Sequence, residues 1–345
     1  MEHIMKASPI FLRGEKNNNN VQAGFSKSIV INKEQATNMQ IHVTACSFYR
    51  LYVNGTIVAH GPARAGYKYL RVDTVDISKY VNAGENIIAF EVTSHGDPFG
   101  SYSNEIVCKP GLLAAAIVAN GELIEQTDSS WRGIRLYHRV QRAERISHCR
   151  QNAEIYYLDD KYYKWRTDPT ECCHIVECFP WEYSLIPRGM AMPTLEYDDH
   201  KYLTDYGSAY IDRTKNVELP WFEAAHSLHY SQLEERPGKE FLQTVEKEIA
   251  PDDTFYIEND GTVKALIHEE GYLNFDFIDN RMGFIGIEFE CDQAGTVDIV
   301  HLESYGYMDD KSHLSLQPNP VTRLHVMKGK TSFVTMEPAL FRYIK

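Results

Sequence analysis

A two-residue hairpin turn constrains the fold of this chain more than any other sequence feature. The strand-like segment Phe48–Val53 ends at Asn54–Gly55, and both of these residues tolerate the positive φ angles that such a turn requires. A second polar turn, Gly84–Asn86, leads into the apolar segment Ile87–Phe90. The sequence therefore predicts antiparallel strands that are joined by tight turns.

Further strand-like segments recur at the short spacing that is typical of all-β proteins. Met39–Cys46 alternates between apolar and polar side chains, so one face of this strand is expected to lie in a core. Leu112–Val118 is continuously apolar and closes at Asn120–Gly121, although its alanines would also suit a helix. Phe284–Glu290 and Val297–Glu303 repeat the strand pattern. We therefore predict an all-β fold rather than alternating strands and helices.

A segment with two prolines and a glycine, Ile186–Pro193, separates two groups of predicted strands. Proline fits poorly into a helix or a central strand, so this segment is a natural domain junction. We expect one β-sandwich in residues 1–185, a linker in residues 186–199 and a second β-sandwich in residues 200–345. Within residues 200–265 the sequence predicts no topology.

The charge of the chain argues against two classes of partner. The 35 basic and 48 acidic residues give a formal net charge of -13 at pH 7. A surface of this sign repels nucleic-acid phosphates and anionic lipids, so neither nucleic acid nor a membrane is expected as a partner. The seven cysteines follow no disulfide pattern, and the first residues contain no apolar signal segment. The expected compartment is therefore the cytoplasm.

Several short segments, each weak alone, occur in an order that resembles a known family. They are, in chain order, Tyr52–Gly55, Gly61–Pro62, Gly84–Asn86, Thr127–Trp131, Pro187–Arg188, Gly295–Val297 and Phe341–Ile344. Together they resemble the N-terminal β-sandwich domains of family 78 glycoside hydrolases, the bacterial α-L-rhamnosidases. The resemblance implies a galactose-binding-like jelly roll followed by a concanavalin-like sandwich.

The same resemblance implies that catalysis takes place outside this chain. In that family an (α/α)6 barrel follows a segment like Phe341–Ile344 and carries the catalytic carboxylates. The chain is thus expected to be the truncated, non-catalytic N-terminal part of an enzyme that hydrolyses terminal α-L-rhamnosides. Its expected partners are a rhamnose-containing carbohydrate and the C-terminal catalytic barrel of the same polypeptide. Where the family has a Gly-Glu-x-Tyr-Asp-Ala-Arg-like segment, only Glu154 and Tyr156 match.

Loops of the first predicted sandwich contain side chains that are suited to binding sugar. Tyrosine rings can cover the apolar face of a sugar, and arginine or aspartate can bind its vicinal hydroxyls. The candidate residues follow the first hairpin or the Ile87–Phe90 strand, and they are His60, Arg64, Tyr67, Tyr69, His95 and Asp97. The alternative is that the charged residues fix the loops and that the tyrosines pack, because a fold shared with sugar-binding proteins does not imply a sugar site.

Neither a catalytic site nor a metal site is expected within the chain, and no cofactor is expected. Four acidic pairs occur, at Asp159–Asp160, Asp198–Asp199, Asp252–Asp253 and Asp309–Asp310. Adjacent residues of a strand point to opposite faces, so solvated turns explain these pairs better than a catalytic acid and base do. The cluster formed by Cys172–His174 and Cys178 lacks zinc-finger spacing, which favours free thiols.

Three other functions are open to a chain with this sequence. The first is a stand-alone carbohydrate-binding module, and the second is the sugar-binding half of a β-galactosidase-like enzyme. The segments from Gly295 to Tyr343 argue against the second. The third is a module that pairs subunits, since apolar surface that forms a homodimer looks the same in sequence as surface that packs domains together.

Overall fold

The chain divides into two compact units. The first unit comprises Met1–Gln141, Cys149–Gln151 and Leu158–Glu196, and the second comprises Arg142–His148, Asn152–Tyr157 and Tyr197–Lys345. The structure, a computed structural model, describes residues 2–66, 68–96, 110–147, 150–159, 161–197, 201–217, 233–248, 255–257, 263–265, 270–304 and 320–345. Two short segments between residues 142 and 157 thus belong to the unit that lies mainly after residue 196.

Strands dominate the described residues, as the sequence predicted. They are β1 (Ile10–Leu12), β2 (Val21–Ile31), β3 (Met39–Cys46), β4 (Phe48–Val53), β5 (Thr56–Gly61), β6 (Tyr69–Asp76), β7 (Gly84–Ser94), β8 (Leu112–Ala119), β9 (Glu122–Gln126), β10 (Arg132–Arg135), β11 (Arg145–Ser147), β12 (Arg150–Asn152), β13 (Ile155–Leu158), β14 (His174–Cys178), β15 (Ser184–Pro187), β16 (Tyr202–Ile211), β17 (Thr244–Glu248), β18 (Phe255–Ile257), β19 (Val263–Ala265), β20 (Gly271–Gly283), β21 (Gly286–Cys291), β22 (Gly295–Leu302), β23 (Val321–Val326), β24 (Gly329–Val334) and β25 (Ala339–Ile344). The predicted all-β class is confirmed.

Helical segments are few and short in the part of the chain that the structure describes. The helix α1 spans Pro237–Gln243, and the 3-10 turns are Ile4–Lys6, Gln35–Thr37, Ser78–Tyr80, Lys164–Arg166 and Pro169–Glu171. No helix among these described residues is long and apolar enough to cross a membrane.

The first unit is a β-sandwich. Its strands pair in the order β15-β6-β3-β8-β1-β14-β10-β2-β7-β4-β5, and β9 pairs with β8. Ile41 and Ile117 lie on strands from one half of this path, whereas Phe25 and Phe90 lie on strands from the other half. All four side chains are buried in one cluster, so the two halves face each other as the layers of a sandwich.

Both predicted hairpin turns form, and their backbone angles explain why these residues occupy them. Asn54 and Gly55 have φ values of 51° and 81°, and they join β4 to β5. Asn120 and Gly121 have φ values of 51° and 82°, and they join β8 to β9. The second turn shows that the alanine-rich segment before it is a strand and not a helix.

Strand β8 is continuously apolar because both of its faces are covered. Leu113, Ala115 and Ile117 belong to the core between the two layers. Leu112 and the alternate alanines pack on the other side, in a cluster that includes Ile4. A strand that is buried on both faces needs apolar residues at every position, which explains the absence of alternation.

The start of the expected linker belongs to the sheet of the first unit. Strand β15 pairs in parallel with β6, with Leu185 opposite Leu70. Arg71 reinforces this pairing, because its Nη1 donates to the carbonyl oxygens of Pro187 and Arg188 at 3.2 and 2.6 Å. The first unit extends past this point to Glu196.

The second unit is built on a seven-stranded sheet in the order β13-β23-β22-β25-β20-β16-β17. Helix α1 contributes Phe241 and Leu242 to a small core, which also contains Val300, Val321 and Tyr343 from the sheet. Strand β16 runs through the segment for which the sequence predicted no topology, and it pairs with β20 and β17.

Candidate functional site

Three strands of the first unit meet at one end of the sandwich, where the sequence predicted sugar-binding loops. Phe48, at the start of β4, pairs with Thr93 near the end of β7. Tyr49 pairs with Gly61 at the end of β5. The loop that leaves β5 and the chain that enters β4 are therefore neighbours at this end.

A surface recess lies at this end of the first unit, and it is the candidate functional site. It is shallow: its space of about 270 Å³ includes open solvent, and the part that the protein surrounds has room for about one water molecule. Its lining residues come from the start of β4, the loop after β5 and the start of β6, and they are Ser47, Phe48, Pro62, Ala63, Arg64, Ala65, Leu70 and Arg71. The recess is therefore much smaller than the sites of about 300–1,000 Å³ that commonly bind small molecules, and a ligand could contact it only from its mouth.

The predicted site residues are distributed unevenly around this recess. Arg64 lines it, whereas Tyr69 precedes Leu70 at the start of β6 and is 46% exposed. Tyr67 and Asp97 lie outside the described residues. The sugar-binding roles of all of these residues stay predictions.

The two predicted histidines lie behind the recess and do not line it. The ring centroids of His60 and His95 are 5.4 and 5.7 Å from that of Phe48. Both imidazoles are buried, with 5% and 4% exposure. The backbone N–H of His95 donates to Oγ of Ser47 at 3.3 Å, which links this aromatic group to the hydroxyl that lines the recess. We infer that the histidines support Phe48 and Ser47 from within the unit.

Arg71 is a charged residue of the recess that the sequence interpretation missed. Its Nε donates to the carbonyl oxygen of Arg64 at 2.7 Å, in addition to the two bonds from Nη1. The signal that could have found it is its position two residues after Tyr69, because alternate residues of a strand share one face. The guanidinium of Arg71 thus fixes the loop that carries Arg64.

A buried ion pair fixes the loop that leaves β5. The carboxylate of Asp73 accepts from the Tyr49 hydroxyl at 2.6 Å and from Nη1 of Arg188 at 2.9 Å. Burial raises the pKa of Asp73, although both hydrogen bonds and the charge of Arg188 oppose this rise. A Cβ atom at Gly61 would overlap Oδ2 of Asp73, so the end of β5 requires glycine. The next residue, Pro62, lines the recess.

A second charged cluster fills the interior of the first unit and is closed to ligands. The carboxylate of Glu91 accepts from Gln22 Nε2, Tyr52 OH, Tyr162 OH and Arg166 Nη2 at 2.6 to 3.1 Å. Burial alone would raise the pKa of Glu91, but neighbouring guanidinium charges and the tyrosine hydroxyls outweigh burial and lower it. This cluster holds the 3-10 turn Lys164–Arg166 against β4 and β7.

The second unit contains its own network of charges. Arg323 bonds to both carboxylate oxygens of Asp298 at 2.7 Å, and it also contacts Glu235 and Glu240 at 3.3 and 2.6 Å. Nε2 of His325 bonds to Glu235 at 2.8 Å, which joins the imidazole to the same network. Arg323 is 6% exposed, so this network serves to hold α1 and the sheet of the second unit together.

Glu154 and Tyr156, the two residues that match the family segment, form a structural group. The carboxylate of Glu154 accepts from the backbone N–H groups of Met336 and Glu337 at 2.8 Å each. The Tyr156 hydroxyl donates to the same carboxylate at 3.0 Å. Glu154 is buried, and it fixes the segment that precedes β25.

The acidic pairs and the cysteine cluster provide no reactive centre in the part of the chain that the structure describes. Oδ1 of Asp159 accepts from the backbone N–H groups of Lys161 and Tyr162, as a turn residue does. Asp160 and the pairs Asp198–Asp199, Asp252–Asp253 and Asp309–Asp310 lie outside the described residues. Sγ of Cys173 lies 3.9 Å from Nδ1 of His174, and no group of three potential metal ligands occurs among the described residues.

Comparison with solved structures relates this architecture to known proteins. A GH78 family rhamnosidase of Bacillus sp. GL1 is similar over 98% of this chain and 52% of its own, with a TM-score of 0.75 and 17% sequence identity. The α-L-rhamnosidase from Aspergillus terreus is similar over 99% of this chain and 34% of its own, with a TM-score of 0.57 and 14% identity. The α-L-rhamnosidase from Dictyoglumus thermophilum covers 99% of this chain and 33% of its own, with a TM-score of 0.55 and 15% identity.

These similarities establish a fold at low sequence identity. No protein-family model and no curated protein sequence matches this chain. The chain spans about half the length of the Bacillus rhamnosidase and about a third of the other two. The chain therefore has the fold that occurs in solved α-L-rhamnosidase structures, over nearly its whole length.

Proposed function

We propose that this chain is the non-catalytic, N-terminal β-sandwich part of a glycoside hydrolase that releases terminal α-L-rhamnose. The similarity to the Bacillus rhamnosidase over 98% of this chain carries the proposal. Since the chain spans 52% of that protein, the reaction itself is assigned to a catalytic barrel on the same polypeptide. In this proposal the two units described above brace the barrel.

The buried carboxylates favour a non-catalytic role for this chain. Inverting hydrolysis needs an acid and a base on opposite sides of the scissile bond, about 6.5–9.5 Å apart, with access to the substrate. Asp73, Glu91 and Glu154 are buried and accept hydrogen bonds from their neighbours in the core. Among the described residues that line the recess, none is acidic.

The test is hydrolysis of 4-nitrophenyl α-L-rhamnoside. The purified chain alone is expected to release nitrophenol no faster than buffer does, whereas the natural polypeptide that contains a catalytic barrel hydrolyses this substrate. Hydrolysis by the purified chain alone would refute the non-catalytic role. Hydrolysis of a β-galactoside but not of the rhamnoside by the whole polypeptide would favour the β-galactosidase-like alternative.

The recess supports a second candidate function, which is carbohydrate binding by the first unit. It brings a hydroxyl and two guanidinium groups, from Ser47, Arg64 and Arg71, to one place on the surface. Hydroxyl and guanidinium groups bind sugar hydroxyls by hydrogen bonds. Saturable binding of a glycan to the purified chain, lost on Arg64→Ala, is the expected result. Binding that the variant retains would place the glycan elsewhere.

A further inference from the structure

We infer that the ring of Tyr157 is a stacking surface for a neutral pyranose sugar, so that the second unit has a carbohydrate-binding surface of its own. All of the residues that form this surface belong to the second unit, and the recess of the first unit has no part in it. The choice of an α-L-rhamnoside as the sugar to be tested rests on the proposed function.

Tyr157 lies at one edge of the sheet of the second unit. Its strand, β13, is the first strand of the seven-stranded sheet and pairs with β23, and no described strand pairs with β13 on its other side. The tyrosine ring stacks on the imidazole of His325 from β23, with the ring centroids 4.2 Å apart and an interplanar angle of 14°. The ring face that is turned away from His325 therefore points beyond the edge of the sheet.

This outer face of the ring is open to solvent. Tyr157 is 52% exposed, although His325 covers one face of its ring and Glu235 covers its hydroxyl. The exposed area must therefore lie on the outer face and on the edges of the ring. An exposed aromatic face can pack against the C–H groups on one side of a pyranose, and removing both surfaces from water favours this contact.

The ring of Tyr157 is held in one orientation before any ligand binds. Its hydroxyl donates to Oε1 of Glu235 at 2.8 Å. Nε2 of His325 donates to the same carboxylate at 2.8 Å, and its Nδ1 lies 3.1 Å from Oγ1 of Thr296, so the imidazole behind the tyrosine is held at both nitrogens. Little side-chain entropy is lost when a sugar stacks on a ring that is already fixed.

The charges beside Tyr157 favour an uncharged ligand. Glu235 pairs with Arg323 at 3.3 Å. Glu234 pairs with Arg142 at 3.2 Å and is 42% exposed. Burial and these two carboxylates raise the pKa of Tyr157, so its hydroxyl stays protonated at neutral pH. The carboxylates would repel an acidic sugar, whereas a neutral sugar can donate its hydroxyl hydrogens to Glu234.

Titration of the purified chain with methyl α-L-rhamnopyranoside, followed by saturation-transfer NMR, tests the inference. Rhamnitol is the control ligand, because this open-chain alditol has the methyl group and hydroxyls of rhamnose but no ring face. We expect saturable binding of the rhamnoside, with the strongest transfer to its methyl and ring C–H protons. Rhamnitol is expected to bind about tenfold more weakly, since it cannot stack and must be ordered on binding.

Three substitutions locate the site. Tyr157→Leu keeps an apolar side chain beside His325 but removes the flat face, so we expect it to weaken rhamnoside binding about fivefold. Tyr157→Phe keeps the flat face and is expected to bind within about threefold of the natural protein. Tyr210→Leu is the matched control. Tyr210 is 57% exposed on β16 of the same unit, and its side chain makes no hydrogen bond or ring contact with another described residue. This control is expected to change binding less than about twofold.

A second measurement does not depend on a weakened variant. In the chain labelled with carbon-13 at tyrosine only, we expect an isotope-edited NOE between the sugar protons and a tyrosine ring. The same NOE should be absent from labelled Tyr157→Phe, because its unlabelled phenylalanine ring now carries the sugar. Thermal melting checks that each variant is folded.

The outcomes that overturn the inference are distinct from those that overturn the proposed functions. Equal affinity for the rhamnoside and rhamnitol would refute stacking. An unchanged NOE in Tyr157→Phe, or equal effects of Tyr157→Leu and Tyr210→Leu, would place the sugar elsewhere. Binding that is lost on Arg64→Ala but kept by Tyr157→Leu would assign the sugar to the recess of the first unit and refute the inference. No binding of the rhamnoside would also refute it, whereas the rhamnosidase proposal is decided by the hydrolysis assay.

Discussion

Gly61 shows how one residue fixes the loop beside the recess. An added Cβ would overlap Oδ2 of Asp73 and lie 2.9 Å from Cε1 of Tyr49, and Asp73 cannot move away without breaking its bonds to Tyr49 and Arg188. We expect Gly61→Ala to lower the free energy of unfolding by about 3 kcal/mol, since overpacking of a filled interior costs about this much. Urea unfolding followed by tryptophan fluorescence measures the change.

Gly66→Ala is the matched control for this substitution. Gly66 follows the same strand, and an added Cβ there meets no atom within 4 Å. We expect this variant to unfold within about 0.5 kcal/mol of the natural protein. If both alanine variants had the same urea midpoint, the close approach of Gly61 to Asp73 would not limit the stability of the first unit.

Residue identities also explain how much of the recess could be predicted from sequence. Arg64 and His60 were selected because they follow a strong hairpin signal, at Asn54 and Gly55, and His95 because it follows the Ile87–Phe90 strand. Arg71 was missed because its acceptors include carbonyl oxygens of residues 116 and 117 positions later in the chain, and a backbone acceptor leaves no trace in side-chain identity. Burial of the histidines behind Phe48 is likewise a property of strand register, which periodicity alone does not give.

At the scale of elements, the carboxylate of Glu91 couples the 3-10 turn Lys164–Arg166 to the sandwich. The folded state lowers the pKa of Glu91 below its ordinary value of 4.5. The ionised carboxylate therefore stabilises the first unit at pH values above 4.5, and this contribution is lost as the pH falls through the folded-state pKa. We expect the free energy of unfolding to decrease between pH 7 and about pH 3, and Glu91→Gln to reduce this dependence.

Urea midpoints across this pH range measure the effect of Glu91. At pH 7 the Gln variant is expected to be less stable by about 3 kcal/mol, because Arg166 then lacks its buried counterion. Glu177→Gln is the control, since Glu177 is partly exposed, lies 4.0 Å from Arg13 and accepts from the backbone N–H of Gly14 through an oxygen that a glutamine also provides. An unchanged pH dependence in Glu91→Gln would show that other carboxylates cause the acid sensitivity.

In the second unit, Arg323 links α1 to strands β22 and β23 through its ion pairs. Arg323→Met would leave three carboxylates, Asp298, Glu235 and Glu240, without the cation that they share. Breaking a buried ion pair by removing one partner costs about 3–5 kcal/mol, so we expect faster amide hydrogen exchange throughout β22 and β23. Lys330→Met, an exposed charge on β24, is the control, and equal exchange in both variants would contradict this role.

Strands and turns differed in how well the sequence predicted them. The hairpins at Asn54–Gly55 and Asn120–Gly121 were predictable because positive φ restricts the residues at a turn. Strand β16 was not predictable from sequence. Its apolar side chains lie on a partly exposed sheet, and its register with β20 shifts between Leu203 and Asp205. A strand of this kind carries neither clean alternation nor a continuous apolar run.

At the scale of the whole molecule, the two units do not correspond to two continuous stretches of sequence. The second unit includes Arg142–His148 and Asn152–Tyr157, which precede its other residues by at least 40 positions. Strand β13 from this segment extends the seven-stranded sheet beside β23. Pairing between residues that are distant in the chain leaves no local pattern in the sequence. The predicted boundary therefore depended on the proline-containing segment Ile186–Pro193 alone.

Because residues 142–157 belong to the second unit, we can predict how a fragment behaves when the chain is cut after residue 196. A fragment of residues 197–345 would lack Glu154, which accepts the backbone N–H groups of Met336 and Glu337, and Glu144, which accepts that of Gly238 at the start of α1. Unsatisfied buried donors cost about 1–3 kcal/mol each, and the edge of β23 would be uncovered as well. We therefore expect this fragment to show no cooperative thermal unfolding transition.

Adding back the segment distinguishes this explanation from a general failure of the fragment to fold. Residues 142–157, fused by a flexible linker to the start of the 197–345 fragment, would restore β13 and both glutamates, and a cooperative transition should return. The same fusion with Glu154→Gln keeps the strand but removes one of the paired carboxylate oxygens, so its transition should occur at a lower temperature. A cooperative transition in the unfused fragment would show instead that the second unit folds without the crossing segment, and that the boundary at residues 186–199 is sufficient.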